Sequence, residues 1–161
     1  MKLLEKYLND HLSGSAAALS LLRTLADSDS RESVFYLKLR DDIAENRKIL
    51  TQIMRAAGFQ RRHWLEHLAA LTSAAGQLRL RWQGLSAGHL GLVEALEILE
   101  LGIQGQLLLW RCLKQTGPAL GLWDEVNFAG LIMSAETQRN QVETRRLTAA
   151  KRAFSRGADE A

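Results

Sequence analysis

One segment of the chain matches a catalytic pattern literally, namely His63-Trp64-Leu65-Glu66-His67. Two histidines at positions i and i+4 share one face of a helix, so His63 and His67 could hold a zinc ion with Glu66 between them, as in one class of zinc protease. Such a protease also needs a third acidic ligand and a substrate cleft, and so short a pattern arises readily by chance. We therefore expect both histidines to flank the buried Trp64 and Leu68 on a surface helix, with a zinc site as the alternative.

A second set of candidate residues is polar but falls within the apolar stripes of long helical segments. At about 100° per residue, each predicted helix sends polar side chains toward its buried face. An isolated charge is costly to bury, so it needs a partner or a metal. These side chains either lie at the bundle ends and reach outward, or they meet in an internal polar cluster. The candidate cluster comprises His11, Asp42, Asn46, Glu100, Gln106, Arg139 and Arg146.

The charged members of this candidate cluster predict one specific contact. Opposite charges lower each other's cost of burial when they meet. The sequence therefore predicts that Asp42, on the second helix, is paired with Arg139 or Arg146 on the last. Removing one partner, as in Arg139→Ala, would then destabilise the protein by about 3 to 5 kcal/mol.

Composition defines the kind of domain that must position these residues. The chain has 161 residues, of which 47% are hydrophobic and one is proline. That size and apolar content suit one domain with one core. Abundant Leu, Ala, Arg, Glu and Gln favour helices over sheets. We expect one all-α domain over residues 1–156 and a frayed tail at 157–161.

The first two predicted helices form a hairpin. Apolar residues at three-and-four spacing predict a helix from about Lys2 to about Ala26. Asp29 followed by Glu32 at the spacing of a capping box predicts the start of helix two, and Gly58 its end. Because the connection is short, the two helices should be antiparallel neighbours.

The last two predicted helices form a second hairpin. Gly117-Pro118 is a pair that stops helices, so it predicts the end of helix three. The expected bounds are Ser86 or His89 to Gln115 for helix three, and Asp124 or Asn127 to about Ser155 for helix four.

Residues 59–86 would connect the two hairpins as a long crossover. Trp64, Leu65, Leu68 and Leu71 suit a short amphipathic helix. The run 78–82 alternates like a strand, but a lone strand has no partner in an all-α chain, so we expect an irregular segment there. The predicted fold is an antiparallel four-helix bundle with two helical hairpins joined by a long crossover that contains a short helix.

The sequence also predicts the compartment. Cys112 is the single cysteine and cannot form an internal disulfide, and Lys2 and Glu5 place charge too early for a secretory apolar core. We therefore expect a cytoplasmic protein. We expect no membrane span, because acidic residues interrupt the most apolar segment before it reaches the roughly 20 residues that a bilayer requires.

A net charge of +3 permits an acidic partner without requiring one. Cations near the end of helix four could meet nucleic acid or an anionic surface, but they also interact favourably with the helix macrodipole, which is the simpler role. No interleaved aromatic residues support base stacking, so we do not favour nucleic acid as a partner. The cations are Arg139, Arg145, Arg146, Lys151, Arg152 and Arg156.

Helix three is apolar on nearly all its faces. Leu90, Leu101 and Leu108 point away from the inferred core. A helix of this kind is covered on both sides. Either the crossover or a second subunit must cover it, and we expect a homodimer.

Two tetrapeptides place an acid three residues before a cation, namely Glu45-Asn46-Arg47-Lys48 and Glu136-Thr137-Gln138-Arg139. Together with the two hairpins, they resemble the ferritin-like superfamily. That family builds a di-metal site from a Glu on each of two helices and a Glu-x-x-His on each of the other two. Lys48 and Arg139 stand at the histidine places here, and a charged cation cannot ligate a metal.

The resemblance implies a ferritin-like bundle with an altered metal site. Arg139 could fill the volume of a lost metal and neutralise Asp42 or Glu100. We therefore expect a salt-bridged remnant and no cofactor, with iron or manganese as the alternative. The ligands that the resemblance implies, if a metal binds, are His11, Glu45, Glu97, Glu100 and Glu136.

The resemblance also implies a function. We expect a non-catalytic or vestigial ferritin-like protein that acts through association with a protein partner, similar to small stress-associated bacterial proteins of the superfamily. One alternative is a di-iron or di-manganese carboxylate oxidase. Another is an adaptor that binds nucleic acid or an anionic surface through the basic end of helix four.

Overall fold

The protein is described by a computed structural model that covers residues 1–60 and 89–156. Over these ranges the chain forms four α-helices and no strand, which confirms the all-α class. No helix in these ranges is both long enough and apolar enough to cross a membrane. The expected helix around Trp64, the alternating run 78–82 and the tail 157–161 lie outside the described residues. The helices are α1 (Lys2–Ser28), α2 (Ser33–Ala56), α3 (His89–Leu120) and α4 (Phe128–Arg156).

The turn between α1 and α2 differs from the predicted capping box. Asp29 Oδ1 accepts a hydrogen bond from the backbone N–H of Arg31 at 3.1 Å, and Glu32 makes no side-chain cap. The Glu32 carboxylate instead accepts a hydrogen bond from Arg145 Nε on α4 at 2.8 Å. A charged partner on another helix therefore outweighs the local cap. The prediction of a capping box was therefore wrong, and α2 begins at Ser33, three residues later than an N-cap at Asp29 would place it.

Gly58 ends α2 as predicted. Its φ of +70° lies in the left-handed region, where glycine carries no Cβ penalty. Beyond it, the backbone N–H of Phe59 donates to the carbonyl of Met54 at 2.9 Å, which satisfies one of the free carbonyls at the helix end.

The end of α3 lies beyond the predicted stop at Gln115. The helix continues through Gly117 and Pro118 to Leu120, and Gly121 follows it with a φ of +63°. Proline removes one donor, which is tolerated in a last turn when later contacts hold the chain. Here the N–H of Leu122 returns to the carbonyl of Gly117 at 3.0 Å. The proposed stop at Gly117-Pro118 was therefore wrong.

Asn127 is the N-cap of α4, as one of the two predicted starts required. Its Oδ1 atom accepts a hydrogen bond from the backbone N–H of Gly130 at 3.0 Å. This bond satisfies one of the free donors of the first helical turn.

All four helices contribute to one apolar core. Leu22, Tyr36, Leu96 and Val142, one from each helix, are each at most 1% exposed. Helix α1 packs against α2, α3 packs against α4, and α1 also contacts α3.

Side-chain contacts give the register of the helix pairs. Between α1 and α2, Glu5 Oε1 accepts from the backbone N–H of Gln60 at 3.0 Å, and Arg47 donates to the carbonyl of Leu12. Between α3 and α4 the contacting pairs are Glu97 with Arg146, Gln104 with Arg139 and Arg111 with Glu136. In both pairs of helices, the residue number falls on one helix as it rises on the other.

Candidate functional site

Six of the seven residues predicted to form one internal polar cluster occupy two separate places. His11, Asn46 and Gln106 line a cavity between α1, α2 and α3. A groove between α3 and α4 is lined instead by Glu100, Arg139 and Arg146.

Asp42 belongs to neither place. Its Oδ2 atom accepts a hydrogen bond from Lys38 Nζ at 2.7 Å, one turn earlier on α2, and its side chain is 37% exposed. The predicted ion pair between Asp42 and Arg139 or Arg146 was therefore wrong. The physical reason is that Asp42 lies at the edge of the buried stripe, where a solvent-accessible lysine on the same helix reaches it more easily than a cation across the core.

The cavity between α1, α2 and α3 has a volume of about 360 Å³. Most of its wall is apolar and comes from residues such as Ala18, Ile43 and Leu50. The polar and aromatic residues of the wall include His11, Ser15, Asn46, Arg47, Gln106 and Trp110.

Arg47 brings a positive charge to the wall of this cavity. Its Nη1 atom donates to Ser15 Oγ at 2.6 Å and to the carbonyl of Leu12. The sequence interpretation treated Arg47 only as a member of the Glu45 tetrapeptide. A signal was present, because Arg47 stands four residues after Ile43 and three before Leu50, which is the spacing of the buried stripe.

His11 is held uncharged at neutral pH. Burial lowers the pKa of its imidazole below 6.5, and the nearby charge of Asp10 opposes only part of that effect. Its ring packs edge-on against Tyr7, with ring centroids 4.6 Å apart. A neutral imidazole can both donate and accept a hydrogen bond.

Two residues that line the cavity each carry a buried hydrogen-bond donor that has no acceptor among the described residues. The donors are the indole Nε1 of Trp110 and the amide Nε2 of Gln106, and both atoms are buried. Trp110 as a residue is only 1% exposed. The sequence interpretation placed Trp110 in the apolar stripe and gave no role to its N–H. On α4, Gln138 Oε1 is likewise buried and unpaired within the described ranges.

The groove between α3 and α4 contains an ion-pair network centred on Arg146. This guanidinium bonds to both carboxylate oxygens of Glu143, at 2.5 and 2.8 Å, and to Glu97 at 3.1 Å. Its Nε atom also lies 3.5 Å from Glu100. Arg139 donates to Gln104 at 2.9 Å and makes a longer bond to Asn140.

The carboxylates of this network titrate in opposite directions. Hydrogen bonds from Arg146 lower the pKa of Glu143 below its usual value. Burial raises the pKa of Glu100, and the adjacent Glu143 carboxyl adds to that rise. Arg146 therefore stabilises the charged form of Glu143 more than that of Glu100. As the pH falls, Glu100 takes up a proton before Glu143 does.

The candidate metal ligands do not converge. Glu45 bonds to Lys48 at 2.8 Å and Glu136 to Arg111 at 2.6 Å, both on accessible surface. His11 lies in the cavity, whereas Glu97 and Glu100 both approach Arg146 in the groove. Among residues 1–60 and 89–156 there is no group of three or more His, Cys, Asp or Glu side chains placed to hold a metal ion. The zinc-like pattern of His63, Glu66 and His67 lies outside the described residues.

Part of the basic end of α4 is already engaged. Arg145 bonds to Glu32 and also lies over the ring of Phe35, with its Cζ atom 3.4 Å from the ring centroid. Lys151 and Arg152 are exposed. Arg145 and Arg146, two of the predicted cations, thus have partners within the chain.

The described residues therefore form two candidate sites. One is the cavity whose wall includes two residues with unpaired donors, and the other is the groove in which glutamates surround Arg146. Neither arrangement presents an activated nucleophile within the described residues. No protein-family model, no curated protein and no solved structure matches this chain.

Proposed function

We propose that this chain is a non-catalytic helical bundle of the ferritin-like type, antiparallel in topology, that works in the cytoplasm by associating with protein. The partner that the surface favours first is a second copy of the chain. The register of contacts between the helices supports the antiparallel arrangement. The observation that supports association is the exposed apolar face of α3.

Four large apolar side chains are exposed on the outer side of α3. Leu90 is 46% exposed, Ile98 49%, Leu101 72% and Leu108 51%. Leu90, Leu101 and Leu108 recur at spacings of 11 and 7 residues, so they lie along nearly one line of the helix. Exposed large apolar side chains on one side of a helix favour a surface that another molecule covers.

The charges beside this row favour a second copy as the occupant. Glu94 and Glu97 lie in the first half of α3, whereas Arg111 and Lys114 lie in the second half. Of these, Glu97 is also bonded to Arg146 and Arg111 to Glu136 on α4 of the same chain, so Glu94 and Lys114 are the charges without such an ion pair among the described residues. When two copies of α3 pack in opposite directions about a two-fold axis, the acidic half of one meets the basic half of the other. The surface is thus complementary to itself, as a homodimer requires.

The groove supports the non-catalytic part of the proposal. Three glutamates gather there, as they do in a carboxylate metal site, but Arg146 lies among them with its guanidinium bonded to Glu143 and Glu97. A fixed positive charge at that position repels a divalent cation and satisfies the same oxygen atoms.

Cysteine cross-linking tests where the chain associates. We would replace Cys112 by serine and introduce Leu101→Cys on the α3 row, then add a short bis-maleimide. A cross-linked dimer should form with Leu101→Cys. It should not form with Val34→Cys, an equally accessible control on α2, where Val34 is 82% exposed. Equal cross-linking of both variants, or none at Leu101, would contradict the proposed surface.

The di-iron or di-manganese carboxylate oxidase is the second candidate, because Glu97, Glu100 and Glu143 line one groove, although these described residues are not placed as a metal-binding group. Metal analysis of protein purified from its own cells separates the two candidates. Stoichiometric, tightly bound iron or manganese would support the oxidase, and metal below stoichiometry would support the bundle that acts by association.

A further inference from the structure

Three glycines make room for the cavity between α1, α2 and α3. A Cβ atom at Gly14 or Gly102 would meet nothing within 4 Å, and one at Gly105 would meet only His11 Cε1 at 4.0 Å. Glycine is therefore not needed here for close packing of the backbones. The missing side chains instead leave a space of about 360 Å³, within the range of small-molecule sites. Gly14 and Gly102 are themselves exposed, so this space is open to solvent between α1 and α3.

The wall of this cavity is mainly apolar. It includes the half-buried Tyr7 and Ala18 of α1 and the buried Ile43, Leu50 and Ile103 of the core. The three glycines add backbone that carries no polar side chain. An apolar wall gives a bound water few hydrogen-bond partners. An apolar molecule would instead gain dispersion contacts and remove its own apolar surface from water. The wall therefore favours an occupant whose surface is mainly apolar.

The charged side chains of the wall are already bonded within the chain. Arg47 Nη1 donates to Ser15 Oγ at 2.6 Å. Asp10 accepts a hydrogen bond from Lys6 Nζ at 2.7 Å. His11 is uncharged at neutral pH, because burial lowers the pKa of its imidazole. A charged ligand would therefore lose its hydration here and meet charges that the chain already uses.

We propose that this cavity binds a small, uncharged and largely apolar molecule. The molecule would lie against Tyr7 and Ala18, in the space that the glycines leave. The N–H groups of Trp110 and Gln106 stay out of contact with it, because both donor atoms are buried. This site lies on the side of α3 that faces α1 and α2. It is separate from the exposed row through which the chain associates, so ligand binding is a function beyond association.

Naphthalene is the probe, and 1-naphthoate and protonated 1-naphthylmethylamine are its charged counterparts. Of the two tyrosines in the chain, Tyr7 lines the cavity, whereas Tyr36 is buried in the core and does not line it. In protein with ¹³C-labelled tyrosine rings, the ring current of bound naphthalene should shift the Tyr7 signals and leave those of Tyr36 in place. The Tyr7 signals are identified by their loss in Tyr7→Phe. Titration should show one site per chain, and both charged counterparts should bind at least about 10-fold more weakly, because an ion is costly to bury without a counter-ion.

Two variants that fill the cavity separate binding inside it from adsorption to the surface. Gly105→Leu and Ala18→Leu each add side-chain volume at a lining position, and each should weaken naphthalene binding at least about 10-fold. The control is Ser20→Leu, which adds a leucine at an exposed position of α1 outside the cavity. This control should bind naphthalene as the unmodified chain does. Far-UV circular dichroism checks that each variant is folded.

Several outcomes would overturn the proposal. The cavity is not the site if naphthalene leaves the Tyr7 signals in place, or if it shifts the signals of Tyr7 and Tyr36 equally. The same conclusion follows if a folded cavity-filling variant binds naphthalene as tightly as Ser20→Leu does. The assignment of an uncharged ligand fails if either charged counterpart binds as tightly as naphthalene.

Discussion

Arg146 and Arg139 lie on the same helix and line the same groove, but they meet different groups. Arg146 is bonded to two carboxylates and is close to a third, whereas Arg139 is bonded to the neutral amides of Gln104 and Asn140. At the scale of the residue, the ionic partners of each cation determine how much the cation contributes to stability.

Alanine substitutions at these two positions should therefore differ. Arg146→Ala leaves three carboxylates without their cation, and because these groups are partly exposed we expect it to lower the free energy of unfolding by only about 1 kcal/mol more than Arg139→Ala does. Arg139→Ala should change the free energy of unfolding no more than an ordinary surface substitution does. The destabilisation of about 3 to 5 kcal/mol that the sequence predicted for Arg139→Ala is therefore no longer expected. Urea unfolding of both variants at neutral pH gives the comparison.

Acid provides the control for this pair of variants. Because Arg146 lowers the pKa of Glu143, its contribution is present above the ordinary carboxyl pKa of 4.5 and is lost as the pH falls through the lower folded value. The difference between the two variants should therefore shrink in acid. A difference that is unchanged in acid would mean that Arg146 stabilises through packing alone.

His11 makes the free energy of unfolding depend on pH in a less acidic range than Glu143 does. Burial lowers its folded pKa below 6.5, so the unfolded chain takes up a proton at a higher pH than the folded chain. The free energy of unfolding should fall as the pH drops below about 6.5, and the loss should end once the pH is below the folded pKa. His11→Gln should lack this part of the pH dependence. Equal slopes in urea unfolding of both proteins would show that His11 titrates normally.

At the scale of the element, two helical glycines differ in the space that a Cβ atom would have. Gly14, within α1, has free space where a Cβ would lie, whereas a Cβ at Gly117, within α3, would be 2.9 Å from the carbonyl oxygen of Leu122. Gly14→Ala should raise the free energy of unfolding by about 0.5 to 1 kcal/mol, the helix-propensity gain. Gly117→Ala should lower it, because backbone must move. Thermal unfolding checks both, and stabilisation by Gly117→Ala would contradict the close approach described here.

The helices could be predicted from the sequence more completely than their ends. Apolar spacing repeats over many residues, so it identifies α1, α2, α3 and α4 even where a single position is ambiguous. Ends depend on single contacts with distant parts of the chain. Glu32 bonds to Arg145 instead of capping α2, and α3 continues past Pro118 because the following residues fold back over Gly117. Neither contact is visible in local sequence.

At the scale of the whole molecule, the sequence could predict that polar groups lie near the core but not which of them meet. A helical stripe relates positions on one helix and carries no information about which helices are neighbours. Thus His11, Asn46 and Gln106 share a cavity as expected, while Asp42 stays with Lys38 on its own helix. The unpaired N–H of Trp110 was missed because its apolar ring already explained its position.

The sedimentation velocity of the unmodified chain, compared with that of Leu101→Lys, is the most direct measurement of association through α3. We predict that the unmodified protein sediments as a species of twice the chain mass of 18.0 kDa, and that Leu101→Lys sediments at the chain mass because it places a charge in the apolar row. Val34→Lys, which adds the same charge on α2, should remain a dimer. Monomeric behaviour of the unmodified chain at the highest concentration reached, or an intact dimer in Leu101→Lys, would contradict the account.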